Sequence, residues 1–204
     1  MPYNYGVVGQ PSAAGDQSAV PTRAGRLYET ITQDCHGRYA EAVLRGNVYL
    51  IANQSAATWS SGLTTTYVGC ALINPVGSSK LLSVLQVDFA TSTFVAGITG
   101  LAIVPYTATG ITNTTTLTVQ KCWVPSATGG QGTASGTGMA GGNLVTPVYS
   151  RFLQGNLATS TGGISTFDIG GSIMLSAGTA LAIVNNAAIT GFGSITWEEL
   201  PFTS

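Results

Sequence analysis

The side chains able to act on a substrate are few and poorly arranged. His36 is the sole histidine in 204 residues and stands next to Cys35. A thiolate–imidazole pair needs a rigid scaffold to converge the two groups in space, and neighbours in sequence give poor geometry for that. Glu198 and Glu199, with Asp168 or Asp88 as second carboxylate, suggest a glycosidase, which needs two carboxylates about 5–9 Å apart over a cleft. Successive strand residues point to opposite faces, so at most one of Glu198 and Glu199 could face it. A solvated final strand whose charges blunt an edge explains the pair better. Three or four N, S or carboxylate ligands are needed for a metal, and the acids are scattered. Gly77-Ser78-Ser79-Lys80 only echoes the phosphate-binding G-x-x-x-x-G-K-[ST] loop, and a hairpin turn accounts for it. We therefore expect no catalytic residue, metal or cofactor, and no enzyme.

Trp59, Tyr67, Tyr106 and Trp123 could form a sugar-stacking platform, although strand aromatics are more often core residues. Trp59, in the loop SAATWSSG, is the exception and is expected to anchor a partner interface.

Composition points the same way. Only 7% of residues are charged and the net charge is −1, against about 25% charged in an average domain. The surface must therefore consist of Thr, Ser, Asn, Gln and Gly, which cost little to desolvate and suit a contact surface. The seven basic residues form no run, which argues against nucleic acid. No apolar stretch reaches a membrane span's length of about 18 residues, and the start MPYNYGVVGQPSAAG has no export signal. A soluble, cytosolically made product with no membrane partner is expected. Cys35, Cys70 and Cys122 are too few and odd in number for a disulfide framework, so free, mostly buried thiols are expected.

Eight of the fifteen charged residues fall in the first 45 positions. Residues 1–45 are expected to be an extended N-terminal arm, and 46–204 a β-sandwich domain. Pro2, Pro11, Pro21 and several glycines leave residues 1–25 without periodicity, so the arm either stays disordered or pairs with a neighbour's strand edge. A short helix is favoured over 38–45, from Tyr39/Val43 and Ala40/Leu44 spacing up to Gly46. Leu27, Glu29 and Ile31 alternating with Tyr28, Thr30 and Thr32 would equally suit a strand.

From NVYLIA onward the chain reads as about eight or nine short strands cut by Gly and Asn turns, an antiparallel sandwich and not a βαβ fold. Leu81, Leu85, Val87 and Phe89 are expected on one face of a strand whose partner lies in 94–106. Residues 114–124 read as one strand, with Leu117, Val119 and Trp123 together. The run SATGGQGTASGTGMAGG, 126–142, reads as a mobile loop tip. In SITWEELP, Trp197 should point into the core.

The segments RGNVYLIANQSAATW, YVGCALINPVGSSKLLSVLQV, GGSIMLSAGTALAIV and SITWEELP together resemble virion structural proteins of tailed bacteriophages. That group includes capsid decoration, or cement, proteins and fibre-like appendages. The resemblance covers roughly 38–202 and rests on an N-P-x-G-S-x-K-L hairpin and a W-E-E ending. It implies a jelly-roll or related sandwich, assembly by symmetry and no catalysis.

The expectation is a cement protein on the outside of a phage head, assembled in the host cytoplasm, trimeric, and bound to the major capsid protein. Candidate contact residues are Tyr3, Tyr5, Arg23, Arg26, Tyr28, Tyr39 and Trp59. The alternative is a head or tail fibre module that binds host surface polysaccharide through Trp59 and the 126–142 loop.

Overall fold

The computed structural model describes residues 5–6, 20–21, 39–94, 96–104, 110–123, 134–156 and 158–201. The chain forms two compact units, Met1–Gly46 and Asn47–Ser204. In the first, β1 (Tyr5–Gly6) and β2 (Val20–Pro21) pair antiparallel, and α1 spans Ala40–Leu44. The Val43 amide donates to Tyr39 O at 2.9 Å. Gly46, at φ 73°, ends the turn, a left-handed conformation that glycine adopts without a Cβ clash. The strand considered for 27–32 lies outside the described residues.

The second unit is almost wholly β, and its strands run in chain order as β3 (Val48–Ala52), β4 (Ala57–Thr58), β5 (Thr66–Ile73), β6 (Lys80–Phe94), β7 (Gly97–Val104), β8 (Thr112–Leu117), β9 (Val119–Lys121), β10 (Thr137–Asn143), β11 (Val148–Asn156), β12 (Ser160–Leu175), β13 (Ala180–Asn185) and β14 (Thr190–Pro201). One antiparallel sheet has the order β12-β6-β14-β3-β9, with β4 added to β14. The other has the order β11-β7-β13-β5-β10-β8. Strands close in sequence tend to sit in opposite sheets at matching positions: β6 with β7, β11 with β12, β13 with β14, and, across the short β4, β3 with β5. Strands β12 and β11 thus end the two sheets on one side, and β9 and β8 on the other.

The main core draws Ile51, Leu82, Val84, Phe89, Ile195 and Trp197 from the first sheet and Cys70, Leu72, Leu101, Leu181 and Ile183 from the second. Trp197 is fully buried, as its alternation with Thr196 and Glu198 requires. A second cluster takes the opposite parity of the second sheet, with Ala71, Ile73, Ala102, Val104, Ala182 and Val184. Strand β13 is therefore buried on both faces, which explains its continuous apolar run ALAIV.

Several expected elements fall differently. Leu81 and Leu85 do not share a face with Val87 and Phe89, because the ladders to both β12 and β14 skip Leu85. This bulge changes parity, so that Leu82 and Val84 join Val87 and Phe89 in the core. Strand β7 does not pair with β6; it lies in the other sheet between β11 and β13. The single strand expected over 114–124 divides at Thr118 into β8 and β9, which belong to different sheets, and Trp123 beyond them is 46% exposed.

The largest correction concerns the glycine-rich run. Residues 137–143 are β10, paired between β5 and β8, with Met139 fully buried; 126–133 lie outside the described residues. A Cβ on Gly138 would stand 2.7 Å from Ile51 Cγ2 and 2.8 Å from Leu117 Cβ. Here glycine reports close packing of the two sheets.

Candidate functional site

Of the residues singled out for catalysis, Cys35 and His36 lie outside the described residues. Cys70 is fully buried, and that burial pushes its thiol far above the usual range. Cys122 is half-buried and its thiol is raised for the same reason. Neither is placed as a reactive thiolate, which needs an electropositive, accessible setting.

The acids separate by face. Strand β14 lies third in its sheet, flanked by β6 and β3, so Glu198 and Glu199 do not blunt an edge as expected. Glu199 points inward and is buried; its Oε1 accepts from the Gly136 amide at 2.8 Å and from Trp197 Nε1 at 3.4 Å. Burial, followed by the Glu199 charge, raises the Tyr49 phenol, whose ring stacks on Trp197 at 5.9 Å. Glu198, Asp88 and Asp168 belong to the opposite, outward face. Asp168 pairs with Gln86, and Thr166 with Asp88, which makes the two aspartates diagonal neighbours on a sheet surface. Among the described residues no three His, Cys, Asp or Glu side chains group as metal ligands. No helix there is long and apolar enough to cross a membrane.

The 74–80 segment joins β5 to β6, which lie in different sheets, so it is a corner and not the expected hairpin. Gly77 takes φ 81°, and the Ser78 amide bonds Pro75 O at 3.2 Å. Asn74 is fully buried and pins the corner, its Nδ2 donating to Lys80 O at 2.8 Å and Leu175 O at 2.9 Å. The Asn-Pro signature is thus structural chemistry.

Trp59, expected as a partner anchor, is 2% exposed and packs in the main core. Its loop is tied down: the Trp59 amide bonds Ile189 O at 2.8 Å and the Ser60 amide bonds Val68 O at 3.0 Å. Its ring fills space that Gly193 leaves, since a Cβ there would lie 2.9 Å from the indole. A side chain so placed offers a partner no area. Tyr67 is equally buried. Its hydroxyl accepts from the Cys70 amide at 2.8 Å and lies 2.7 Å from Ile183 O, in donating distance. It serves the backbone where β5 and β10 slip register between Val68 and Ala71. Of the other expected contact residues, Tyr3, Arg23, Arg26 and Tyr28 lie outside the described residues, Tyr5 is described in its backbone alone, and Tyr39 is half-buried beside α1. Tyr106 is also outside them.

The exposed apolar groups were missed from sequence. On β11, Val148 is exposed and Phe152 is 64% exposed, the latter ring lying 5.3 Å from Tyr149. On β12, Ile164 and Met174 are exposed as well. Ser165 Oγ donates to Gln154 Oε1 at 2.8 Å and braces the two strands against each other. The far side carries Thr112 to Thr116, exposed but bonded inward by Thr114 Oγ1 to Gly141 O at 2.9 Å and Asn113 Nδ2 to Gly138 O at 3.0 Å. Strand periodicity could have found Phe152 only once the bulges beside it were known, because register shifts flank it at Tyr149/Arg151 and Phe152/Gln154. No protein-family model, curated protein or solved structure matches this chain.

Proposed function

We propose that this chain is a virion structural protein that decorates and stabilises the outside of a tailed-phage head. In this reading the β unit is a jelly roll that contacts copies of itself, as a trimer, and the major capsid protein. Residues 1–45 are the arm laid over neighbouring capsid subunits.

The strand order supports the jelly roll. Leaving out the short β4 and the three strands β8, β9 and β10, the remaining eight run β12-β6-β14-β3 and β11-β7-β13-β5. In sequence rank these are 6-3-8-1 and 5-4-7-2, the paired winding of two interleaved Greek keys. Jelly rolls serve in viral capsids and in lectins, so the fold alone does not select between them.

What carries the assembly reading is the surface. A chain with 7% charged residues leaves Val148, Phe152, Ile164 and Met174 exposed on the two strands that end its sheets on one side. Apolar groups of that size remain in water at a cost that contact with a partner removes. The fibre alternative finds Trp59 in the core and part of its loop in β10. A bound cement stabilises the shell by mass action, and copies on a closed lattice add avidity.

The test compares heads assembled with and without the protein. Heads that lack it should release DNA at a lower temperature, and quantitative mass spectrometry should count hundreds of copies per virion. Equal release temperatures, or only about a dozen copies, would sink the reading.

A further inference from the structure

The outward face of the first sheet is organised in rows by its register. Ile164, Ala90 and Phe192 are directly opposed across β12, β6 and β14. One row further along the strands come Thr166, Asp88 and Ser194. On the other flank lie Ser92 and Thr190, the Thr190 hydroxyl 3.0 Å from that of Thr58. An apolar row is thus bordered by hydroxyls on one side and by a carboxylate with hydroxyls on the other. Successive outward rows are about 6.8 Å apart, two residues of strand rise.

This row lines a groove of about 400 Å³. Ile164, 80% exposed, and Phe192, 44% exposed, flank the small Ala90 in that row. Gly162 and Gly163 also line the groove and add no side chain to fill it. Asp88 is held in place before any ligand arrives: Ser194 Oγ donates to its Oδ2 at 2.9 Å and Gln86 Nε2 to its Oδ1 at 2.9 Å. A carboxylate accepts about four hydrogen bonds, so capacity remains.

We propose that this groove binds one residue of a neutral glycan. Its apolar C–H face would lie on Phe192 and Ile164, and its hydroxyls would donate to Asp88 and exchange hydrogen bonds with Ser194 and Thr190. The charge balance selects this ligand class. Among the described residues no Lys or Arg lines the groove, which disfavours phosphate, sulfate or an acidic sugar, whereas a fixed acceptor among hydroxyls suits a neutral polyol. Apolar walls with a few placed polar groups, in a volume of this size, are the ordinary make-up of a small-ligand site. The proposal does not rest on capsid attachment: it takes Ile164 for the groove and leaves the assembly contact to Val148, Phe152 and Met174, so either reading can fail while the other stands.

The experiment titrates the ¹⁵N-labelled protein with the methyl glycosides of glucose, galactose, mannose and N-acetylglucosamine to about 50 mM, well above a millimolar dissociation constant. At least one should produce saturable shifts confined to residues 88–92, 162–166 and 190–194. Phe192→Ala and Asp88→Asn should each weaken binding about tenfold or more, while Phe192→Tyr, which keeps a stacking ring, retains it. Val76→Ser, at the exposed 74–80 corner, should change nothing. Absence of saturable shifts with all four sugars overturns the proposal, as does unchanged affinity in Phe192→Ala and Asp88→Asn. Shifts of the same residues on raising protein concentration without sugar would mark a self-contact instead, and would overturn it too.

Discussion

On one side of the second unit, β11 and β12 close their sheets with Val148, Phe152, Ile164 and Met174 exposed. On the other, β8 ends its sheet with threonine and asparagine, and two of its side chains are bonded back to β10. Among the described residues both sides end in strands paired along one edge only, and such an edge invites pairing with other chains unless something discourages it. The β8 side spends its polar groups on its own irregular ladder. The β11–β12 side leaves apolar area in water. The difference separates chemistry that serves the fold from surface free to serve a partner, and substitutions can test each half.

Two glycines give the largest contrast. Gly138→Val on β10 forces side-chain atoms against Ile51 and Leu117 from a position where Cβ alone is already within 2.8 Å of both. Overpacking of this kind costs about 3 kcal/mol or more. Gly155→Val on β11 has only Gly97 O near, at 4.0 Å, and should stay within about 0.5 kcal/mol of the parent. Urea unfolding curves measure both. Equal losses would mean that the two sides are packed alike.

How far sequence reaches is visible in the same residues. Alternation in SITWEELP placed Trp197 correctly, because β14 keeps one parity over the stretch that includes it. The face of Leu81 and Leu85 was misassigned because a bulge is a two-strand property that no single strand's pattern records. Glycine in 137–143 looked like a flexible tip because composition does not distinguish a glycine chosen for freedom from one chosen for absence of Cβ. Trp59 looked exposed because Ser, Ala and Gly surround it, while the void it fills is made by Gly193, 134 positions away. The outward groove rows depend on the pairing of β12, β6 and β14, and only the register reveals them.

Tyr67 provides a smaller, pH-dependent test of the β5–β10 junction. Its phenol is pushed well above its usual value, first by burial and then by Cys70, and the Cys70 thiol is raised by burial. Folded chains therefore keep protons that unfolded chains release above about pH 9–10. The unfolded state binds fewer protons there, so stability is full below that range and falls as pH rises through it. Tyr67→Phe leaves the Cys70 amide without its acceptor and should cost about 1–3 kcal/mol at neutral pH. It should also flatten the alkaline slope by the phenol's share. An unchanged slope between pH 9 and 11, read from unfolding midpoints, would show that the hydroxyl titrates alike in both states.

The smallest effect on stability should accompany the largest effect on association. Val148→Ser together with Phe152→Ser removes exposed apolar area and leaves the main core untouched, so the unfolding free energy should move by no more than about 0.5 kcal/mol. If Phe152 only props the Tyr149 ring, both stability and assembly will change together. If β11 is a contact strand, sedimentation velocity will show a lighter species and occupancy on heads will fall, with the unfolding midpoint unchanged. The separation of the two readouts is the discriminating result, because a residue kept for folding cannot lose its partner without weakening its own domain.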